Sequence, residues 1–169
     1  LKNAGHVVYV VLYTSIAAYS VTELTATFIQ IIEPKAMQTG QVSVDANAIK
    51  TALQSEGKIA LYGLYFDTGK AIIKPESKAQ LDEMAKLMQT QTQQKYFIVG
   101  HTDNVGNFDS NMTLSLQRAQ AVVEALSSAP YKIASSRLIA KGNANLAPVA
   151  SNAEETGRAR NRRVEMVAQ

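Results

Sequence analysis

Lys95-Tyr96-Phe97-Ile98-Val99-Gly100, followed by His101-Thr102-Asp103-Asn104 and then by Asn111, Leu114, Ser115 and Arg118, decides how this chain is read. The first six residues are a short run rich in aromatic and β-branched side chains, long enough for a buried strand. A polar loop, 101–109, interrupts it. The spacing beyond predicts a helix over about 110–127, with Met112, Leu116, Ala119, Val123 and Leu126 as its buried stripe. A strand passing through a polar loop into a helix is half of an alternating unit, and the same alternation continues on both sides.

Downstream, 137–141 reads as a short strand stopped by Gly142. Asn152 and Glu155 have capping-box spacing, so a helix is expected to start at Ala153. Val164-Glu165-Met166-Val167 reads as a closing strand. Upstream, the apolar run 59–66 predicts a buried strand, and Asp67-Thr68-Gly69-Lys70 breaks it. Pro75 suits a first helical position, where its missing N–H costs nothing. Leu81, Met84, Ala85 and Met88 then recur at i, i+3, i+4 and i+7, and the polar run 89–94 ends that helix. From residue 59 the order is β-α-β-α-β-α-β. The expected fold class is α+β, an α/β sandwich with helices on one face of a mixed sheet. Before it, 48–53 reads as a short helix stopping near Gly57, and Gly40 and Asp45 as turn material. Two strands are expected at 6–13 and 23–32, the second closed by Pro34. The expected division is 1–54, the end of an upstream domain or a β-rich extension, and 55–169, the α/β domain.

Composition excludes several classes. With 46% hydrophobic and 18% charged residues, 169 residues can build one core plus a fragment. The absence of cysteine removes disulfides and thiolate metal sites. A net charge of +3 is low for a nucleic-acid binder, and the basic residues cluster only at Arg158, Arg160, Arg162 and Arg163, so nucleic acid is not an expected partner. Residues 7–32 are apolar, but Thr14, Ser15, Ser20, Thr22 and Glu23 interrupt them more often than a spanning helix tolerates. Residue 1 is Leu with no signal-peptide pattern after it, as expected of a processed or trimmed piece.

Asp103 follows a strand directly, at the carboxyl rim where open α/β sheets bind ligands. Asn111, Leu114, Ser115 and Arg118 are spaced by 3, 1 and 3 and therefore share a helix face. A guanidinium offers two parallel donors to a carboxylate, and an aspartate accepts from an ammonium. The pair suits a ligand carrying both groups, each contact being worth about 1.5–3 kcal/mol when partly desolvated. The alternative is that Asp103 and Arg118 simply pair with each other. Asp67, Thr68 and Gly69 form either a second wall or only a turn. His101 and Asp103 could begin the metal site of a hydrolase, but the other histidine, His6, lies far upstream, and one histidine with scattered carboxylates is a thin ligand set. His101 reads better as a residue hydrogen-bonded within its loop. Ser115 has no credible base and reads as a packed helix residue. Arg160 and Arg163 read as solvated, or paired with Glu154 and Glu165.

Four ordered motifs carry a resemblance. They are Phe66-Asp67-Thr68-Gly69-Lys70 with Ile73-Lys74-Pro75; Gly100 to Gly106; Asn111 with Leu114-Ser115 and Arg118-Ala119; and Gly157 to Glu165. Over about residues 58–167 the chain resembles the OmpA-like peptidoglycan-binding domain. The resemblance implies non-covalent binding of the cell-wall stem peptide, without catalysis and without a cofactor or metal. It implies that Asp103 and Arg118 hold the diaminopimelate, with Thr102, Asn111, Leu114 and the turn of Asp67, Thr68 and Gly69 as supporting wall. Many members carry Asn or Asp where Gly69 stands, which leaves that wall thinner here. The implied location is the periplasm of a Gram-negative cell, associated with the outer membrane. Membrane attachment would come through parts outside this chain, and a homodimer is compatible with the reading. An envelope assembly or stator-type module using the same fold is the alternative.

Overall fold

The computed structural model describes residues 43–169 throughout and, upstream of them, the strand segments alone. The chain divides into two compact units, Leu1–Gly40 and Gln41–Gln169. In the first, β1 (Lys2–Asn3) pairs antiparallel with β2 (His6–Val7). Likewise β3 (Tyr9–Tyr19) pairs antiparallel with β4 (Thr22–Ile32), from Tyr9 opposite Ile32 to Tyr19 opposite Thr22. The expected strand 6–13 is thus two segments, the second running on through Thr14 and Ser15. Hydroxyl residues do not stop a strand, and threonine favours one. The expected stop at Pro34 lies outside the described residues.

The second unit begins earlier than the expected boundary at 54. Helix α1 (Ala46–Glu56) belongs to it, because Ala46, Ile49 and Leu53 sit in its core. Asp45, expected as turn material, caps α1: its carboxylate accepts the Asn47 and Ala48 N–H groups. Gly57 ends the helix in the left-handed conformation, φ 73°.

β5 (Lys58–Leu61) is only half of the expected strand 59–66. Beyond Leu61 the chain leaves the sheet, and the backbone of Tyr65 finds partners in Ser77 Oγ, at 2.8 Å, and the Lys74 N–H, at 3.0 Å. Pro75 opens a 3₁₀ turn, Pro75–Ser77, that runs into α2 (Lys78–Thr90). The expected residues of α2, Leu81, Met84, Ala85 and Met88, are buried. So is Gln80, whose side-chain amide is matched at both ends by the backbone of Val44. β6 (Tyr96–Gly100), α3 (Phe108–Ser127) and β7 (Leu138–Gly142) follow. α4 (Glu155–Asn161) starts two residues after the expected Ala153, because Asn152 does not cap it. The Asn152 side-chain carbonyl accepts from the Asn161 amide instead, across the loop. β8 (Val164–Ala168) closes the unit.

The sheet order is β5-β8-β6-β7, with β6 and β7 parallel and the other pairs antiparallel. Leu61, Tyr96, Ile98, Leu138, Val164 and Met166 alternate onto one face and share a single core with residues of α1, α2 and α3. The helices therefore cover one face, and Ile139 on the other remains 39% exposed.

α3 is rotated from its expected seat. Ala119 and Leu126 are buried, but Leu116 is exposed and Met112 and Val123 only half-buried, whereas Asn111, Ser115, Arg118 and Val122 are buried. Two glycines cause this. A Cβ on Gly100 would stand 2.0 Å from the Ser115 carbonyl, and one on Gly142 would stand 2.7 Å from both the Leu116 nitrogen and Ser115 Oγ. The helix backbone thus lies directly on β6 and β7 at Ser115. Ser115 Oγ donates to the Met112 carbonyl and accepts from the Ala144 N–H. Its role is the structural one expected.

Candidate functional site

Beyond Gly100 the chain stays tied to its neighbours. The His101 N–H donates to the Arg163 carbonyl and the Thr102 N–H to the Ala144 carbonyl, both at 2.9 Å. Asp103 is thereby held at the strand's end, 8% exposed. Its Oδ1 accepts the Val105 N–H at 3.0 Å, and Asn111 Nδ2 donates to the Val105 carbonyl at 2.9 Å, so α3 pins the loop from the other side. Asn107 caps α3 through its side-chain carbonyl, which sets the first turn two residues ahead of the expected 110.

Arg118 does not pair with Asp103. Its Nε donates to the Lys70 carbonyl at 3.0 Å and its Nη2 to the Asp67 carbonyl at 3.2 Å. Its guanidinium carbon stands 5.2 Å from the centre of the Phe66 ring. Among the described residues no carboxylate forms an ion pair with it, although it is only 8% exposed. Burial, and then the charge of Arg162, press its pKa down, while Asp103 opposes them. An arginine does not lose its proton in this range, so the shift reports a cation short of counter-charge.

Asp103 pairs instead with Arg162, Nη1 to Oδ2, at 2.7 Å. The other amino group of Arg162 bonds Glu155, which also accepts Arg158 Nε at 2.9 Å. Arg162 and then Arg158 hold the Glu155 carboxyl below its ordinary pKa.

Thr68, Gly69, Thr102, Asp103, Asn111, Leu114 and Arg118 line one cleft of about 720 Å³. That size suits a ligand of a few linked groups. Tyr62, Leu64 and Phe66 supply apolar lining, and Glu155, Arg158 and Arg162 close the far side. Asp67 contributes only its carbonyl to Arg118, since its half-exposed carboxylate faces Lys70 and Lys74. The 67–70 segment is a turn closed by the Lys70 N–H on the Asp67 carbonyl, with Gly69 at φ 68°. It is therefore the turn that the sequence offered, and Thr68 and Gly69 of it line the cleft.

Sequence reasoning gives Arg162 no place in the cleft, since nothing local in its motif ties it to Asp103. The signal lies in the strand order. With β8 antiparallel to β6 and Val164 opposite Gly100, a residue two before Val164 falls beside the residues that follow Gly100.

His101 and Asp103 do not converge. His101 is 2% exposed, and its Nε2 stands 3.5 Å from Glu165 Oε2. Neither ring nitrogen meets a hydrogen-bond partner of good geometry, so the expected bond within its loop is not formed. Among the described residues, no three His, Asp or Glu side chains stand close enough to share a metal ion. Arg163 forks onto Glu165 Oε1 at 2.7 and 2.9 Å, as expected, and Arg160 is exposed.

A model of the OmpA family matches residues 65–162. Outer membrane protein A of Bordetella avium is 39% identical over 102 residues, which are 60% of this chain and 52% of that protein. The chain thus spans about half the length of that relative. The peptidoglycan-associated lipoprotein of Pseudomonas aeruginosa is 32% identical over 123 residues, 72% of this chain and 71% of that protein. Among solved structures, the cell wall anchor of the T6SS from Pseudomonas aeruginosa superimposes with a TM-score of 0.56 at 25% identity, covering 73% of this chain and 96% of that one. With more than half of the chain matched, and the four-stranded mixed sheet and helices in place, this protein belongs to the OmpA family.

Proposed function

We propose that this chain anchors an envelope protein to the cell wall by non-covalent binding of peptidoglycan, through the diaminopimelate of the stem peptide. The observation that carries the reading is Arg118, a buried guanidinium held by two carbonyls and an aromatic face, with no carboxylate paired to it among the described residues. Such a group favours an anionic partner from outside. Arg118 receives the ligand carboxylate and Asp103, across the cleft, its ammonium. Thr102, Asn111 and Leu114 shape one wall, and the turn of Asp67, Thr68 and Gly69 the other. The peptidoglycan-associated lipoprotein and the cell wall anchor, similar in sequence and fold, support this choice of partner. The outer membrane and lipoprotein relatives support a periplasmic location next to the outer membrane. Neither relative is named as an enzyme, and the site supplies a grip rather than a nucleophile and base. Retention on purified sacculi tests the proposal. Wild type is expected to co-sediment, and Asp103→Ala and Arg118→Ala to lose about tenfold or more in affinity, the worth of one charge-assisted contact. Equal retention of the three, with all of them folded by circular dichroism, overturns the site assignment.

A further inference from the structure

We propose that Arg162 is a specificity-determining residue: its guanidinium occupies Asp103 as an internal stand-in for a ligand ammonium, and a ligand must displace it. The inference rests on the reading of the cleft given above. Asp103 has two carboxylate oxygens. Oδ1 serves the Val105 N–H that shapes the loop, and Oδ2 carries Arg162 at 2.7 Å. The oxygen that the loop leaves free is therefore already held by a cation before a ligand arrives. Its occupant is built to leave, because the Arg162 side chain is 37% exposed where that of Asp103 is 11%, and its other amino group is already on Glu155. Glu155 gives the displaced guanidinium a carboxylate to retreat to.

Charge then sets what can displace it. Arg118, Arg158 and Arg162 outnumber Asp103 and Glu155 in the cleft by one. An amine without a carboxylate evicts Arg162, adds a further positive charge, and leaves Arg118 uncompensated. A ligand that also carries a carboxylate answers Arg118 while it takes Asp103. The displaceable arginine thus works against simple amines and in favour of amphoteric ligands, a selection by penalty rather than by added contact.

Calorimetric titration of the full chain with meso-diaminopimelate and with 1,5-diaminopentane, the same skeleton without its two carboxylates, tests this. Removing the competitor in Arg162→Gln is expected to tighten diaminopimelate by about three- to fivefold, the worth of a half-exposed ion pair, and the doubly charged diamine by more, since a positive charge leaves the cleft with it; equal tightening of the two overturns the specificity role. Glu155→Gln takes away the retreat, so Arg162 holds Asp103 longer and both ligands bind more weakly. The double variant is expected to match Arg162→Gln, because Glu155 acts through Arg162. Weaker or unchanged diaminopimelate binding by Arg162→Gln, with wild type binding normally, overturns the inference alone. So does a double variant weaker than Arg162→Gln, since Glu155 then acts on the ligand directly. No binding by wild type overturns the reading of the cleft and this inference together.

Discussion

Arg118 and Arg163 are buried to a similar depth, 8% and 4% exposed, and both donate to backbone carbonyls. They differ in one respect. Arg163 meets Glu165 in a fork of two bonds, while Arg118 pairs with no carboxylate among the described residues. The first is a finished ion pair inside the fold, and the second is half of one. Arg137 shows that carbonyls alone do not mark a site. It takes the Met88, Gln91 and Gln94 carbonyls, but these lie at and beyond the end of α2, where the helix dipole supplies partial negative charge. The carbonyls on Arg118 belong to a turn and bring no such field. Burial without counter-charge therefore distinguishes Arg118, the arginine proposed to bind, from the structural ones.

The contrast can be broken first at Arg163. Arg163→Ala takes both short bonds from the buried Glu165 carboxylate and leaves it only the longer contacts of Lys58, at 3.4 Å, and His101, at 3.5 Å, so urea unfolding is expected to show a loss of about 3 kcal/mol. Arg118→Ala strands no carboxylate, so its stability should fall by clearly less while sacculus retention collapses. The reverse order would dissolve the distinction. Next comes pH. Contact with His101 and then with Arg163 holds Glu165 down to about 2, against burial. At 3.5 Å the histidine contact is long, and the closer arginine fork is the better-formed bond. A carboxylate with a lowered folded-state pKa stabilises the fold above its ordinary value of 4.5, and that stabilisation is lost as pH falls toward about 2. The urea midpoint of wild type should decline through this window, and that of Glu165→Gln should start lower and decline less. Parallel declines would show that other groups govern the acid limb. The smallest effect is expected at Gly69→Asn. Gly69 has a left-handed φ and open space around its Cβ position, both of which asparagine accepts. The added amide thickens the wall beside Arg118, so diaminopimelate should bind about two- to fivefold tighter, one net hydrogen bond, at nearly constant melting temperature.

Most of the fold was legible because its signals are local. The stripe of α2, the cap pattern of α1 around Gly57, and the runs behind β6 and β8 each declare themselves within a dozen residues. What was not legible depends on distant pairs. The strand from 59 stops at Leu61 because Tyr65 meets Ser77 and Lys74 rather than a ladder. α3 buries Asn111, Ser115 and Arg118 where apolar spacing pointed to Met112 and Leu116, because hydrophobicity was standing in for burial and two glycines paired across neighbouring strands choose the face. Asp103 and Arg118 were readable as residues of one cleft. Arg162 was not, since its place depends on β8 entering the sheet beside β6.

The contact of Ser115 with Gly100 and Gly142 works like the jaw of a caliper. Where a helix rests on side chains, its distance from a sheet can drift as rotamers change or methyl groups repack. Here backbone touches backbone, and the one side chain in the contact, Ser115, is held by two hydrogen bonds. The gap between the Thr102–Asp103 edge and the Asn111–Arg118 edge is thus fixed by atomic radii. It is a dimension of the cleft that substitutions elsewhere in the core leave alone, whatever happens among the paired charges of the opposite rim.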